Sequence, residues 1–370
     1  MSRFAPTFDA VCDFQNLHAA HIRARAGKRD RFETIEFELH LGSNLTQLSD
    51  ELAAGVYKML PYVRFVVDDP KRRVIHALHY RDRVVQHSLC DNVIMPILEP
   101  RLVFDNAACR KGKGALFALR RMERFMREHY RTCGTTGWFV KCDIFHFFDE
   151  IHQDRLLEQL AKCPFDNKTM TLLEQIVRSY RSDSLSCGER GLPLGNQSSQ
   201  WLALYFLDSM DRLVKERLRV RAYSRYMDDA VLLLPTRAEA RLCLESMEDC
   251  VHALGLKFNS KTQISPLSHG ITYLGWHFSL SKTGRVTRVV RSATRKRIKR
   301  RLVYAKALYS HSVGTQGNNT ISDQRILNSN LVSGTNLVRI IQARFTPAKE
   351  KATGHINGIQ NPHPVRIRYE

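Results

Sequence analysis

The chain has 370 residues, 43% hydrophobic and 25% charged, with 57 Lys and Arg against 37 Asp and Glu for a formal net charge of +20. That size supports a large core, in one elaborate domain or in two or three subdomains around a cleft, and the charge calls for a polyanionic partner, nucleic acid first. No apolar run nears the roughly eighteen residues of a membrane span, and MSRFAPTFDA offers neither a lipidation signal nor a secretory apolar stretch, so a cytoplasmic protein without a membrane partner is expected.

In chain order, FQNLHAAHIRARAGKRDRF has a basic helical pattern, either a solvated face or a nucleic-acid contact. A second helix is predicted from Asn44 to Lys58, where apolar residues recur at three- and four-residue intervals. YVRFVVDDPKRRVIHALHY reads as a hairpin with Lys71, Arg72 and Arg73 near its tip, well placed to meet phosphates. RDRVVQHSLCDNVIMPILEP returns to helical periodicity, and ACRKGKGALFALRRMERFMREHY is a glycine-and-lysine loop followed by a basic helix. GWFVKCDIFHFF predicts a buried strand ending at Asp143; DRLLEQLAKC and TMTLLEQIVRSYRS predict helices.

GLPLGNQSSQW reads as a glycine-bounded loop running into an apolar helix, with Ser198 or Ser199 as a cap. VRAYSRYMDDAVLLLP predicts two strands around a tight turn, RAEARLCLESMEDCVHALG a helix, and GITYLGWHFSL with RVTRVV another strand pair around SKTG. RKRIKRRLVYAKALY is a strongly basic helix, and the last twenty residues are too polar and Gly/Pro-punctuated to predict order. The nine cysteines include no C-x-x-C pair and no finger-like Cys/His spacing, and read as reduced thiols acting as small hydrophobes.

Two features carry the chemistry. Asp143 ends an apolar strand, and Asp228 and Asp229 sit side by side in a turn flanked by apolar residues. Carboxylates in such places are costly unless compensated, and a divalent cation is the natural compensation, since Mg2+ takes hard oxygen ligands from a few carboxylates plus substrate phosphates. Three carboxylates from neighbouring strands suit two ions about 4 Å apart, one lowering the pKa of an attacking 3′-hydroxyl and the other neutralising departing pyrophosphate. A lone Asp-Asp in a turn is common for conformational reasons alone. The strand-ending aspartate, the basic hairpin and the overall charge set this one apart.

RYMDD between apolar strands resembles the catalytic motif of reverse transcriptases, and other pieces of that family follow in order from about Asp68 to Phe278. PKRRVIHALHYRDRVVQ resembles the fingers segment, VKCDIFHFFDEI the first aspartate motif, GLPLGNQSSQ the glycine-rich loop, LKFNSKTQ the lysine-bearing segment and ITYLGWHF the primer-grip hairpin. The resemblance implies an α+β, right-hand polymerase fold with fingers, an antiparallel palm sheet with helices, and a short helical thumb. It divides the chain into a helical, template-contacting extension (1–66), fingers and palm (67–285), a basic thumb (286–345) and a flexible tail (346–370). The implied function is RNA-directed DNA polymerisation with two Mg2+ ions, for which Mn2+ substitutes, on an RNA template with a DNA or RNA primer and dNTPs.

By the same resemblance Asp143, Asp228 and Asp229 hold the metals with the Ile144 carbonyl, Asp143 and Asp228 being the most direct ligands. Lys261 protonates the leaving pyrophosphate. Lys71 and Arg73 grip the incoming triphosphate, Phe148 lies under its sugar and excludes a 2′-hydroxyl, and Leu194, Gly195 and Gln200 wall the nucleotide. Arg110, Lys111 and Lys113 track the template, Tyr273, Leu274, Gly275 and Trp276 place the primer end, and Arg295 and Arg297 belong to the thumb helix.

Leu194 stands before the loop glycine and Ser199-Gln200 closes the segment, where most bacterial reverse transcriptases have Gln and Ser-Pro. This resembles the enzymes of diversity-generating retroelements, which implies misincorporation opposite template adenines and a small basic accessory protein. The alternatives are an enzyme of another bacterial lineage, phage-defence or group II intron-like, and a catalytically dead RNA-binding scaffold.

Overall fold

The computed structural model describes residues 6–67, 73–182, 189–292, 294–300 and 302–303. Four helices open the chain: α1 (Phe8–Cys12), α2 (Phe14–Ala24), α3 (Phe32–Leu39) and α4 (Leu41–Ala53). The Asp13 side chain accepts the Asn16 N–H and caps α2. Helix α4 starts before Asn44 and stops well short of Lys58, because Gly55 takes φ +71°, the left-handed conformation that ends a helix. Leu17, Ala20, Leu45, Leu48 and Leu52 are buried in one core with residues of the palm helices.

A hairpin follows, β1 (Val63–Val67) against β2 (Arg73–Ala77), with Val67 opposite Arg73. Lys71, expected at its tip, lies outside the described residues. Helix α5 (Tyr80–Leu89) continues through a π-helical turn at Cys90–Ile94 into α6 (Met95–Leu98), and after a long loop α7 spans Ala115–Cys133. Then come β3 (Trp138–Asp143), α8 (Phe147–Glu150), α9 (Gln153–Leu160), α10 (Asn167–Arg178), α11 (Gln197–Phe206) and α12 (Asp208–Arg212). The hairpin β4 (Tyr223–Tyr226) and β5 (Asp229–Leu234) leads into α13 (Arg237–Ala253), whose start carries a Thr236–Glu239 capping box. Strands β6 (Gln263–Pro266), β7 (Ile271–Tyr273), β8 (Trp276–Leu280) and β9 (Val286–Val290) complete the regular elements described.

The central sheet has the order β4-β5-β3-β6 and is antiparallel in every pair. Alternate residues of a strand face opposite sides, and each side has its own cover. Val140, Cys142, Ala230, Leu232 and Leu234 bury with α9, α10, α11 and α13. Phe139, Val231 and Leu233 bury with Ala118, Leu119, Met122 and Met126 of α7 and with Ile271, Tyr273 and Phe278 of the β7–β8 hairpin. Cover on both faces is why WFVKCD and DAVLLL read as nearly continuous apolar runs rather than alternating ones.

The described residues up to Val289 form one compact unit, and those from Val290 onward fall in a second. The buried residues of the N-terminal helices share one core with those of α9, α10, α11 and α13. In the second unit the described residues 294–300 are helical, as their basic periodicity predicts, and Arg295 and Arg297 are exposed on that helix. The tail from 346 lies outside the described residues.

Candidate active site

The register of β3 on β5 places Asp143 directly opposite Asp229, and β4 closes on β5 with Tyr226 opposite Asp229, so Met227 and Asp228 form the hairpin turn. Met227 sits at φ +56°, an uncommon state for a side chain of its size. Asp143 and Asp229 occupy the same sheet face as Phe139, Lys141, Val231 and Leu233, at the end where the cover of α7 and the β7–β8 hairpin runs out. All three aspartates are half-buried.

Burial raises Asp228 to about 6; a backbone hydrogen bond opposes this and the neighbouring Asp143 carboxylate reinforces it. Asp229 is raised to about 7, again chiefly by burial, although the Lys141 ammonium 3.7 Å from its Oδ2 pulls the other way. Its Oδ1 is buried without a hydrogen-bond partner. The Asp143 carbonyl accepts the Asn259 N–H at 2.8 Å and the Phe145 N–H reaches the Lys257 carbonyl at 2.9 Å. Those bonds flank the Ile144–Phe258 bridge and leave the Ile144 carbonyl out of that pairing.

Hard oxygen donors, an unpartnered buried carboxylate oxygen and a backbone carbonyl left out of the bridge pairing fit a divalent ion such as Mg2+. Among the described residues no group of three or more His, Cys, Asp or Glu side chains is arranged to hold a metal ion by itself. A Mg2+ ion usually takes only one or two carboxylates from the protein and completes its shell with water and substrate phosphates. The donor set here meets that requirement.

The glycine-rich loop is tied to α8, the short helix that follows Asp143 in the chain. Leu192 N–H donates to the Phe148 carbonyl at 2.8 Å and Gly191 N–H to the Ile151 carbonyl at 2.9 Å, which zips the loop onto α8, where Phe148 is half-buried. Gly195 is exposed at φ +105°, a conformation that requires glycine; Leu194 and Gln200 are half-buried. Neither Ser198 nor Ser199 caps α11. The N-cap is Asn196, and Ser198 Oγ instead donates to Gln86 Oε1 at 2.7 Å while Gln197 Nε2 donates to Asp91 Oδ1 at 2.9 Å, bolting the helix start to the α5 region.

The basic loop before α7 is less open than its sequence suggests. Arg110 directs its guanidinium inward to the Val103 and Asn106 carbonyls and to Glu99. Lys113 donates to the Phe104 carbonyl at 2.6 Å and lies 4.5 Å over the Phe104 ring; desolvation lowers it to about 8. Both brace the loop, and of the three expected template cations Lys111 is the exposed one. The β7–β8 turn has Leu274 at φ +47° and Gly275 at φ +83°, both left-handed as a type I′ hairpin turn demands. Tyr273 is fully buried, its hydroxyl 3.2 Å from Ser224 Oγ, and supports the hairpin from within, whereas Leu274, Gly275 and Trp276 form its half-buried tip.

Three residues the motifs did not single out contact the aspartates or the turn that carries Asp228. Lys141, two residues before Asp143 on the same face, also donates to the Thr272 carbonyl at 2.9 Å and so links Asp229 to the β7 hairpin. Asn259 Nδ2 donates to Asp143 Oδ2, and Asn259 Oδ1 accepts the Lys261 N–H at 2.8 Å. Lys261 itself is exposed. Arg225, fully buried, donates to the Met227 carbonyl at 2.9 Å. The i−2 spacing of Lys141 on a strand was a usable signal; Asn259 gave none because Asp143 lies 116 residues away, and Arg225 gave none because a cation beside a turn reads as a solvated charge.

This chain belongs to the reverse transcriptase family: residues 68–278 match the family described as "Reverse transcriptase (RNA-dependent DNA polymerase)". Such proteins are RNA-directed DNA polymerases, a class of nucleotidyltransferase. Among solved structures, apo telomerase from Candida tropicalis truncated from its C-terminal domain is 13% identical with a TM-score of 0.44, over 63% of this chain and 56% of that one. Telomerase from Candida albicans in complex with a fragment of telomeric RNA is 11% identical with a TM-score of 0.46, over 63% and 46%. The chain thus spans about half the length of these structural neighbours. No curated protein matches it in sequence. No helix among the described residues is long and apolar enough to cross a membrane.

Proposed function

We propose that this chain copies RNA into cDNA by two-metal nucleotidyl transfer, as the cytoplasmic reverse transcriptase of a diversity-generating retroelement. One observation carries the polymerase reading: Asp143 and Asp229 are register partners on one sheet face, with Asp228 in the adjoining turn. Three mutually repelling, half-buried carboxylates have no structural use at a strand end, which favours catalysis over a dead scaffold.

The residues divide the work. Asp143, Asp228, Asp229 and the Ile144 carbonyl would hold Mg2+, which supplies charge neutralisation and a lowered pKa at the attacking 3′-hydroxyl. Lys71 and Arg73, at the β1–β2 hairpin, bind the triphosphate. Phe148 and the Leu194–Gly195 wall shape the sugar and base pocket, with Gln200 behind them on α11. The Leu274–Trp276 tip seats the primer end for in-line attack on the α-phosphorus, and Lys261 protonates the pyrophosphate as it leaves. Lys111 and the thumb cations Arg295 and Arg297 hold the duplex backbone, a contact that suits an enzyme obliged to copy any sequence.

Leu194 favours the retroelement subtype. A Gln near the nascent pair hydrogen-bonds sugar or base edges, whereas Leu offers dispersion and shape alone and tolerates mispairs. A small basic accessory protein belongs to this reading. The test is extension of a primer on an RNA template with dNTPs and Mg2+, beside an Asp228→Ala variant, with the products sequenced. Equal product from both proteins defeats the polymerase reading; accurate copying of adenines, or neighbouring DNA without paired template and variable repeats, defeats the subtype and favours another bacterial lineage.

A further inference from the structure

The palm contains a charged pair that the mechanism above does not use. Arg225 and Asp211 are both 0% exposed, joined by Nη2 to Oδ2 at 2.6 Å and by Nε to Oδ1 at 2.7 Å. The remaining capacity of Asp211 is filled by the Tyr223 hydroxyl and by Asn106 Nδ2 at 3.3 Å. Burying two charges is expensive even when they are paired, and an apolar pair of similar volume often serves stability as well or better. Stability alone therefore explains such a pair poorly.

The other bonds of Arg225 show what it joins. Its Nη1 donates to the Met227 carbonyl at 2.9 Å, inside the catalytic turn, and its Nη2 donates to the Leu204 carbonyl at 2.9 Å, in the last turn of α11. Carbonyls at a helix C-terminus lack helical partners and favour a cation. The same helix begins at the glycine-rich loop. Backbone bonds from Arg225 N to the Asp105 carbonyl and from Ala107 N to the Arg225 carbonyl also pin the loop that precedes α7. One side chain thus fixes a left-handed Met227, next to Asp228, to the helix that carries the nucleotide wall.

We propose that Arg225, oriented by Asp211, is a positioning residue that holds the Met227–Asp228 turn in its strained conformation and at a set distance from α11. This rests on the polymerase reading given above. The bond to the Met227 carbonyl offsets the cost of a positive φ, and without it the turn relaxes and carries the Asp228 carboxylate with it.

The test uses the full chain with Arg225→Met and Asp211→Asn together, a pair that removes both charges and leaves Tyr223 an acceptor. The expected result is a folded protein in which kcat for primer extension falls on the order of 10²-fold, as for a displacement of about 1 Å, while KM for primer-template holds. Mn2+ affinity, read by electron paramagnetic resonance without substrate, weakens about 10-fold, a readout independent of activity. Adding Met227→Gly, which removes the cost of positive φ, recovers part of both. Arg225→Lys, which keeps a cation opposite Asp211 but lacks the fork needed for two carbonyls, carries the same expectation should the double variant fail to fold.

A folded variant with kcat within about 3-fold of the unsubstituted protein and unchanged Mn2+ affinity overturns the proposal. So does loss of folding in both variants, or a joint loss of kcat and primer-template binding, since these mark a purely structural role. An unsubstituted protein that makes no cDNA condemns the polymerase reading instead, while the Mn2+ comparison still judges the pair.

Discussion

Replacing Asp229 by Asn is expected to stabilise the metal-free protein at pH 8 while abolishing its activity. Asp229 is raised to about 7 from an ordinary 3.8, mainly by burial, and its Oδ1 has no partner. Ionising such a group in the folded state costs up to roughly 4 kcal/mol relative to the unfolded chain. Between about pH 4 and pH 7 the folded protein holds a proton that the unfolded chain has released, so stability falls as pH rises through that window and levels off above it. An Asn never pays this cost but keeps a buried amide, worth about 1 kcal/mol the other way if left unpaired.

The net gain is on the order of 2 kcal/mol at pH 8, or about 4 °C in Tm for a unit of this size, and nearly nothing at pH 4. Thermal melts of both proteins in EDTA at the two pH values read it directly. Saturating Mg2+ should then reverse the order at pH 8, because binding to the folded state stabilises the protein that retains the ligand. An Asn variant equal to or below the parent at pH 8 in EDTA refutes the reasoning, since Asp229 is then not held at a desolvation cost.

Other outcomes follow from single contacts. Phe148→Val should admit ribonucleotides, lowering dNTP over rNTP discrimination in kcat/KM by about 10²-fold; unchanged discrimination removes Phe148 from the sugar site. Leu194→Gln should reduce errors at template adenines in sequenced extension products, and an unaltered error spectrum sinks that role for the loop. Asn259→Ala releases the Asp143 carboxylate and should lower kcat about 10-fold or more with little change in Tm; a variant of normal kcat means Asp143 needs no clamp. Gly270 sits at φ +66° with the Phe278 carbonyl oxygen 2.2 Å from where a Cβ would lie, so Gly270→Ala should cost about 2 to 4 kcal/mol in urea titrations; a loss below about 1 kcal/mol means the backbone there yields.

Much of the fold was legible because its signals are local. The strands at Trp138–Asp143 and Asp229–Leu234 follow from apolar runs bounded by turn residues, and α7 and α13 from helical periodicity. Departures came either from a contact with another segment or from a local stop that the periodicity overruns. Ser198 reads as a cap, yet its hydroxyl is taken by Gln86, 112 residues away in sequence. Arg110 and Lys113 are expected along the template, yet carbonyls of the preceding loop accept from both, and the Phe104 ring lies under Lys113. Helix α4 was placed too late because its periodicity runs on past the glycine that stops it.

The sequence alone determined that one aspartate ends a strand and two more share a later hairpin turn, in the order of the reverse transcriptase motifs, since residue type and spacing along one strand or turn decide that. Tertiary structure alone decided which groups surround them. The pairing of β3 with β5 brings Lys141 to Asp229, the segment before β6 brings Asn259 to Asp143, and the packing of α11 and α12 against β4 buries Arg225 on Asp211. A charged side chain in sequence reads the same whether it meets solvent or a buried carboxylate, because the free energy that separates those cases resides in contacts between segments rather than within one.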